Sequence, residues 1–290
     1  MDGLALTLVG IDWEALMTKY GRAFYKLSGS GNDFVFVDAR TDPAGPLETP
    51  EVVGAICARA TGVGADGIVF IEPPKAASQR FSIRYLNRDG SLALLCGNAS
   101  LCSVSLAAEL GIVSEGEDFE FGTGAGAARG RFTASGPEID LQPVEQLTEK
   151  AEIRPSNGET RIGFAMVGVP HVVVQVPDVE AVDVDGRGRP VRHDPWLVAG
   201  ANVNFVSRAG DEWLMRTYER GVEAETLACG TGAVASAALL EAWGDSGSST
   251  TIRTRSGLPL RVRFRGDDSG RTTPSLNGEG RIVFRGELAM

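Results

Sequence analysis

Basic charge, histidine and long apolar runs are all scarce in this sequence. Lys and Arg total 28 against 38 Asp and Glu, a net charge of −10. That balance argues against a general nucleic-acid or anionic-membrane surface, since either requires clustered cations. A small-molecule partner is the expectation that remains. No apolar run approaches the roughly 20 residues of a membrane-crossing helix, so no membrane partner is expected. The opening segment lacks a basic start and its apolar residues are interrupted by Asp12 and Glu14, unlike a signal peptide, which makes a cytoplasmic location the expectation. Four cysteines (Cys57, Cys96, Cys102, Cys229) in 290 residues do not read as a disulfide framework. The two histidines, His171 and His193, are far apart and Cys96 and Cys102 lack tight ligand spacing, so no metal is expected. Neither GxGxxG nor GK[ST] follows an expected strand, and no pyridoxal-lysine motif stands out, so no cofactor is expected.

What the chain does contain is an ordinary globular balance, 43% hydrophobic and 23% charged, and one internal repeat. Arg84-Tyr85-Leu86-Asn87-Arg88, then Cys96-Gly97-Asn98 and a small-residue run to Gly111, is matched by Arg216-Thr217-Tyr218-Glu219-Arg220, then Cys229-Gly230-Thr231 and a similar run to Gly244. Counted from each cysteine, serine recurs seven residues on (Ser103, Ser236), leucine ten on (Leu106, Leu239) and glycine fifteen on (Gly111, Gly244). Two domains are expected, because the chain exceeds one small core and the repeat divides it.

Local pattern places these motifs. Phe24 to Arg40 reads as strand, glycine-rich turn, strand, with Asn32 and Asp33 at the turn. Thr49 as N-cap and Pro50 at the first helical position predict a helix to Ala60, and the glycines from Gly62 to Gly67 a turn into a strand over Ile68 to Ile71. Arg80 to Leu86 and Leu92 to Leu95 alternate as strands, and Asn98 to Leu110 suits a buried helix ended by Gly111. Residues 142–160 read as polar loop. His171 follows the turn Gly168-Val169-Pro170, where it reads either as a local backbone support or as a ligand-orienting or acidic group. Asn202 and Asn204 share one strand face, expected to be exposed. Residues 1–21 suggest a short amphipathic helix around Trp13, Leu16 and Met17.

Each matched cysteine is thus expected just before a helix N-terminus, where unpaired backbone N–H groups lower a thiol pKa and attract a carboxylate. If the halves face each other, one cleft holds two acid/base groups on opposite sides of a ligand. That arrangement suits inversion of a carbon centre, one thiolate removing a proton while the opposite thiol supplies one. The backbone N–H groups then hold the charge that develops on the substrate carboxylate. Asn87 and Glu219, at equivalent positions, are candidates for the substrate ammonium group, and Arg220 for a carboxylate. Cys57 and Cys102 fall on apolar helix positions and read as core.

Gly29-Ser30-Gly31-Asn32-Asp33-Phe34, Asn87-Arg88-Asp89-Gly90-Ser91, Cys96-Gly97-Asn98, Gly168-Val169-Pro170-His171, Asn202-Val203-Asn204-Phe205, Glu219-Arg220-Gly221 and Ala228-Cys229-Gly230-Thr231-Gly232 resemble, in order, the signature blocks of the diaminopimelate epimerase family. The resemblance implies cofactor-free interconversion of LL- and meso-2,6-diaminopimelate, serving lysine and peptidoglycan synthesis. It implies an α+β fold of two pseudo-symmetric domains, each a mixed or antiparallel, barrel-like sheet around a central helix. On that plan residues 1–21 are an N-terminal extension, 22–120 plus 279–290 form the domain of Cys96, and 121–278 form the domain of Cys229. Position by position, Cys96 and Cys229 become the acid/base pair and Asn32, Asn87, Asn202, Glu219 and Arg220 substrate contacts. Gly97, Asn98, Gly230 and Thr231 hold the reacting carboxylate, and His171 lies close to the reacting centre. A homodimer is left open. The sequence departs from the family pattern at Gly67, where many members have glutamine, at Val169, where many have asparagine, and at Leu101, where arginine is usual. A sister two-cysteine racemase acting on another amino acid, or an amino-acid-binding module without activity, are the rival readings.

Overall fold

The computed structural model describes residues 21–94, 96–156, 158–266 and 272–288, so the helix expected around Trp13 lies outside the described residues. In chain order the strands are β1 (Arg22–Gly29), β2 (Asn32–Asp38), β3 (Gly67–Glu72), β4 (Gln79–Asn87), β5 (Leu92–Ala93), β6 (Asp118–Thr123), β7 (Gly126–Thr133), β8 (Gly136–Asp140) and β9 (Gln146–Thr148). They continue as β10 (Arg161–Val167), β11 (Val169–Gln175), β12 (Asn202–Ala209), β13 (Glu212–Glu219), β14 (Ala224–Thr226), β15 (Ser249–Arg253), β16 (Pro259–Gly266), β17 (Thr272–Asn277) and β18 (Arg281–Leu288). The α-helices are α1 (Pro50–Cys57), α2 (Gly97–Glu109), α3 (Val184–Arg192) and α4 (Gly230–Ala242). Among the described residues no helix is long and apolar enough to cross a membrane.

The sequence repeat is a repeat of topology. β1 pairs antiparallel with β2, β2 parallel with β3, and β3 antiparallel with β4. β4 then pairs antiparallel with β5 and parallel with β6, and the sheet continues antiparallel through β7 to β8. The same succession runs from β10 through β11, β12, β13, β14, β15 and β16 to β17. Each half gains an edge strand from beyond its own repeat: β18 pairs with β1, and β9 with β10. An antiparallel pairing of β8 with β17 joins the halves. The result is the α+β arrangement of two pseudo-symmetric, mixed and barrel-like sheets, each around a central helix. The boundary expected at 120/121 falls inside β6, whose neighbours are β4 and β7.

Parallel crossovers explain why β3 reads as a nearly continuous apolar run, since it is covered on both faces; β12 is likewise buried on both faces from Asn202 to Ser207 although it carries polar residues. Ile68 and Phe70 of β3 pack with Val53, Ile56 and Cys57 of α1, while Val69 and Ile71 face the core around α2. Val203 and Phe205 of β12 pack with Val184 and Val191 of α3, while Val206 faces the core around α4. α2 and α4 are enclosed by sheet and buried nearly all round, so both are built from small and apolar residues. Both end as expected on a glycine in the left-handed region, Gly111 at φ 67° and Gly244 at φ 78°.

Several expectations are corrected. α1 stops at Cys57 rather than Ala60, and β5 covers only Leu92–Ala93. The stretch read as loop contains β9, and residues 178–193 carry α3, which the pattern did not signal. His171 lies within β11, not after a turn, because the β10–β11 turn closes at Gly168 alone. Asn202 and Asn204 share a face, but it is buried rather than exposed.

Leu276 of β17 is fully buried where the two central helices begin: a Cβ built on Gly97 would sit 3.8 Å from its side chain, and one on Gly230 2.9 Å. Leu276→Ala is therefore expected to cost about 2–5 kcal/mol of stability. Urea unfolding checks this against Val198→Ala at a fully exposed site, expected to stay within about 0.5 kcal/mol. Equal losses for the two variants would contradict the placement of Leu276.

Candidate active site

A cleft of about 840 Å³ opens between the N-termini of α2 and α4. Cys96 is the N-cap of α2, with φ −141° and ψ 119°, and Cys229 the N-cap of α4, with φ −135° and ψ 110°. Neither helix start is capped by a side-chain hydrogen bond. Two sets of backbone donors therefore face one volume with a thiol beside each. The cleft wall gathers nine of the residues singled out from sequence: Asn32, Asn87, Cys96, Gly97, Asn98, Glu219, Cys229, Gly230 and Thr231.

The side of the first half is held by a hydrogen-bond relay. Asn98 donates through Nδ2 to Asn32 Oδ1 at 2.7 Å, and Asn32 donates through Nδ2 to Asp66 Oδ2 at 2.9 Å. Asp66 also accepts from the Asp33 backbone N–H at 3.2 Å and from Arg59 at 2.6 Å. Lys26 and Arg59 both donate to Asp33, and although burial pushes the Asp33 carboxyl up, these two cations hold it below its ordinary value. Asn98 Oδ1 is buried with no partner among the described residues, an acceptor left for a ligand. Asn87 is oriented separately, donating to the Ser91 hydroxyl at 3.0 Å.

Three expected site residues, Asn202, His171 and Arg220, do not line the cleft. Asn202 Oδ1 accepts from the Arg220 backbone N–H at 2.8 Å, which places Asn202 as a support for the Glu219-Arg220 turn. His171 is fully buried, with Nδ1 3.2 Å from Asn204 Nδ2. That amide donates, so the ring proton belongs on Nε2, which is buried without a partner among the described residues. Burial, aided by the positive charge of Arg220, lowers the His171 pKa to about 3, so the ring is neutral at ordinary pH. Gly232, which sequence reasoning passed over, has no room for a side chain: a Cβ there would lie 2.3 Å from Asn204 Oδ1 and 3.2 Å from Cys229 Sγ. Tyr85 and Thr226 also line the cleft and were missed. Two-residue spacing on β4 from Asn87 was the available signal for Tyr85.

The departures noted in sequence separate. Val169 lines the cleft. Leu101 is fully buried in the core, where its side chain lies 3.0 Å from a Cβ built on Gly278. Gly67 lies beneath Tyr85, and a Cβ at this position would fall 2.4 Å from the ring and 2.4 Å from the Leu86 carbonyl oxygen.

The thiols correct another expectation. Burial pushes Cys229 up to about 12, reinforced by the Glu219 carboxylate and only partly offset by the Thr231 hydroxyl and the Gly232 N–H. Burial also pushes Cys96 up, against the pull of the Ala99 and Asn98 N–H groups. The helix N-termini do act in the expected direction, but loss of water outweighs them. Cys57, pushed up to about 11, and Cys102 are buried core thiols as expected. Burial likewise raises the Glu219 carboxyl, with the Thr226 hydroxyl acting against it. Both cleft thiols are thus protonated in the ligand-free protein, and alkylation by iodoacetamide should be slow near pH 7 and still rising at about pH 9.5. A rate already level below about pH 7.5 would contradict the burial argument.

Comparison with known proteins agrees over most of the chain. The family model for diaminopimelate epimerase matches residues 24–145 and 163–276. A diaminopimelate epimerase from Gemmatimonas aurantiaca is 47% identical over 277 residues, covering 92% of this chain and 99% of that protein. One from Aquifex aeolicus is 39% identical, covering 92% of this chain and 97% of that protein. Among solved structures, a phenazine biosynthesis protein of the PhzF family from Bacillus anthracis shares the fold alone, with a TM-score of 0.70 at 14% identity over 92% of this chain and 98% of that one. With identity this high to relatives matched almost end to end, the chain belongs to the diaminopimelate epimerase family.

Proposed function

We propose that this protein is an isomerase that interconverts LL- and meso-2,6-diaminopimelate by proton transfer at one α-carbon, with Cys96 and Cys229 as the two acid/base groups. The observation that carries the reading is the pair of thiols at matching helix N-caps facing one cleft. The substrate α-carbon sits between the sulfurs. One thiolate takes the α-hydrogen, the charge spreads into the adjacent carboxylate, and the opposite thiol returns a proton to the other face. Backbone N–H groups of Gly97, Asn98, Gly230 and Thr231 hold that carboxylate as charge grows on it. Asn32 and Asn87 on one wall and Glu219 on the other bind the remaining polar groups. Arg220 and Asn202 act behind the wall, and neutral His171 fixes Asn204.

The reaction needs one thiolate and one thiol at the same time. Their shared burial favours that state over two thiolates, because each negative sulfur raises the pKa of the other, as the effect of Cys96 on Cys229 illustrates. The sign of the pH dependence follows. A base whose pKa is raised gains its active form as pH increases, so kcat/KM climbs from about pH 6 toward about pH 9. The cytoplasm is the proposed setting, since two free thiols facing each other persist only where the poise is reducing.

The test is incubation with LL-diaminopimelate in D₂O, following stereochemistry and α-deuterium. Inversion with one solvent deuterium per new meso product is expected, and Cys96→Ala or Cys229→Ala is expected to lower turnover at least about 100-fold with the fold retained. No exchange by the unaltered protein, or exchange only with a monocarboxylic amino acid, would overturn the substrate assignment. Near-normal turnover in either variant would overturn the two-base mechanism.

A further inference from the structure

Tyr85 carries more of this site than its neighbours explain. Its ring stands edge-on to Phe34, with centroids 5.6 Å apart and planes at 86°, and both rings line the cleft. On β4 it is two residues from Asn87 and shares that residue's face. Across the ladder its partner is Ala93, also on the cleft wall, in the segment that leads to Cys96. The ring keeps this place because residue 67 has no side chain. A Cβ on Gly67 would fall 2.4 Å from Cε2 and 3.2 Å from Cζ of Tyr85. Tyr85 and Cys96 thus line the same cleft, with the phenol ring standing where a side chain at residue 67 would collide with it. Burial pushes the Tyr85 hydroxyl up, with the charge of Cys96 the largest contribution after it, so it stays a neutral donor. No hydrogen bond to that hydroxyl is found among the described residues.

We infer that Tyr85 is a specificity-determining residue: its ring bounds the substrate space on the Cys96 side, and its hydroxyl donates a hydrogen bond to the bound amino acid. This rests on the epimerase reading and deepens it. The hydroxyl supplies binding that is equal in the ground and transition states, and its loss therefore raises KM more than it lowers kcat. The ring supplies shape, and its loss lets smaller or differently shaped amino acids compete.

Steady-state kinetics with LL-diaminopimelate on the full chain separate the two contributions. Tyr85→Phe is expected to raise KM about five- to tenfold, with kcat falling less than about threefold. Tyr85→Leu is expected to raise KM further and to strengthen inhibition by other amino acids, with L-lysine as the probe. Thermal melts on both variants show whether the fold is kept. Unchanged KM and unchanged lysine inhibition in both variants, with normal turnover by the unaltered protein, would overturn the role of Tyr85 alone. A parallel fall of kcat and melting temperature without a rise in KM would reduce the residue to core packing and equally overturn it. Absence of turnover by the unaltered protein would remove the epimerase reading, and the role of Tyr85 with it.

Discussion

Holding one carbon between two sulfurs requires two helix N-termini to be aimed into the same small volume and kept from water. A helix start leaves backbone N–H groups unpaired, and burying two of them against each other is costly unless something anionic occupies the space. The cleft between α2 and α4 accepts that cost. Neither start has a side-chain cap, and both begin with glycine; at Gly230 a side chain would crowd Leu276. The sheets wrapped around each helix, the pairing of β8 with β17 and the buried Leu276 all serve to hold these two ends in place. In the proposed reaction a bound carboxylate supplies the missing partner, so the donors that destabilise the empty site would be those that stabilise the charge formed during proton transfer.

The same burial sets the chemistry of the thiols. Dry surroundings raise both pKa values, which makes each sulfur a stronger base once it is ionised and makes a second ionisation unfavourable. Symmetry of the backbone then permits asymmetry of the walls. Asn87 ends β4 where Glu219 ends β13, and Asn98 stands one helix position after Gly97 as Thr231 does after Gly230. On the proposed reading, two half-sites with the same thiol geometry thus bind different parts of one substrate.

Much of this was legible in sequence because the repeat recorded it. Matched Cys-Gly helix starts and the glycines that end both helices are local signals, and the structure bears them out, while the strand expected before Cys96 shortens to Leu92–Ala93. The outer helix α3 escaped notice since it contains Gly186, Gly188 and Pro190, which read as breakers. Packing explains the glycines: a Cβ on Gly186 would lie 2.2 Å from the capping carboxylate of Asp183, and one on Gly188 2.5 Å from Tyr218. Burial was the other quantity that pattern did not carry. Asn202 and Asn204 look like exposed strand amides by type, and only the covering helix turns them inward to hydrogen-bond the Arg220 backbone and His171. The direction of the cysteine pKa shifts failed for the same reason, because helix position is local and desolvation is not.

Stereochemical preference of the two half-sites tests the central claim most directly. With one thiol removed, the surviving thiol can still exchange the α-hydrogen that faces it, though it cannot invert the centre. Cys96→Ala and Cys229→Ala should each wash deuterium from solvent into only one of the LL- and meso-isomers at the reacting carbon, and the two variants should choose opposite isomers. Exchange of both isomers by a single variant, or the same choice by both, would contradict an arrangement with one cysteine on each face.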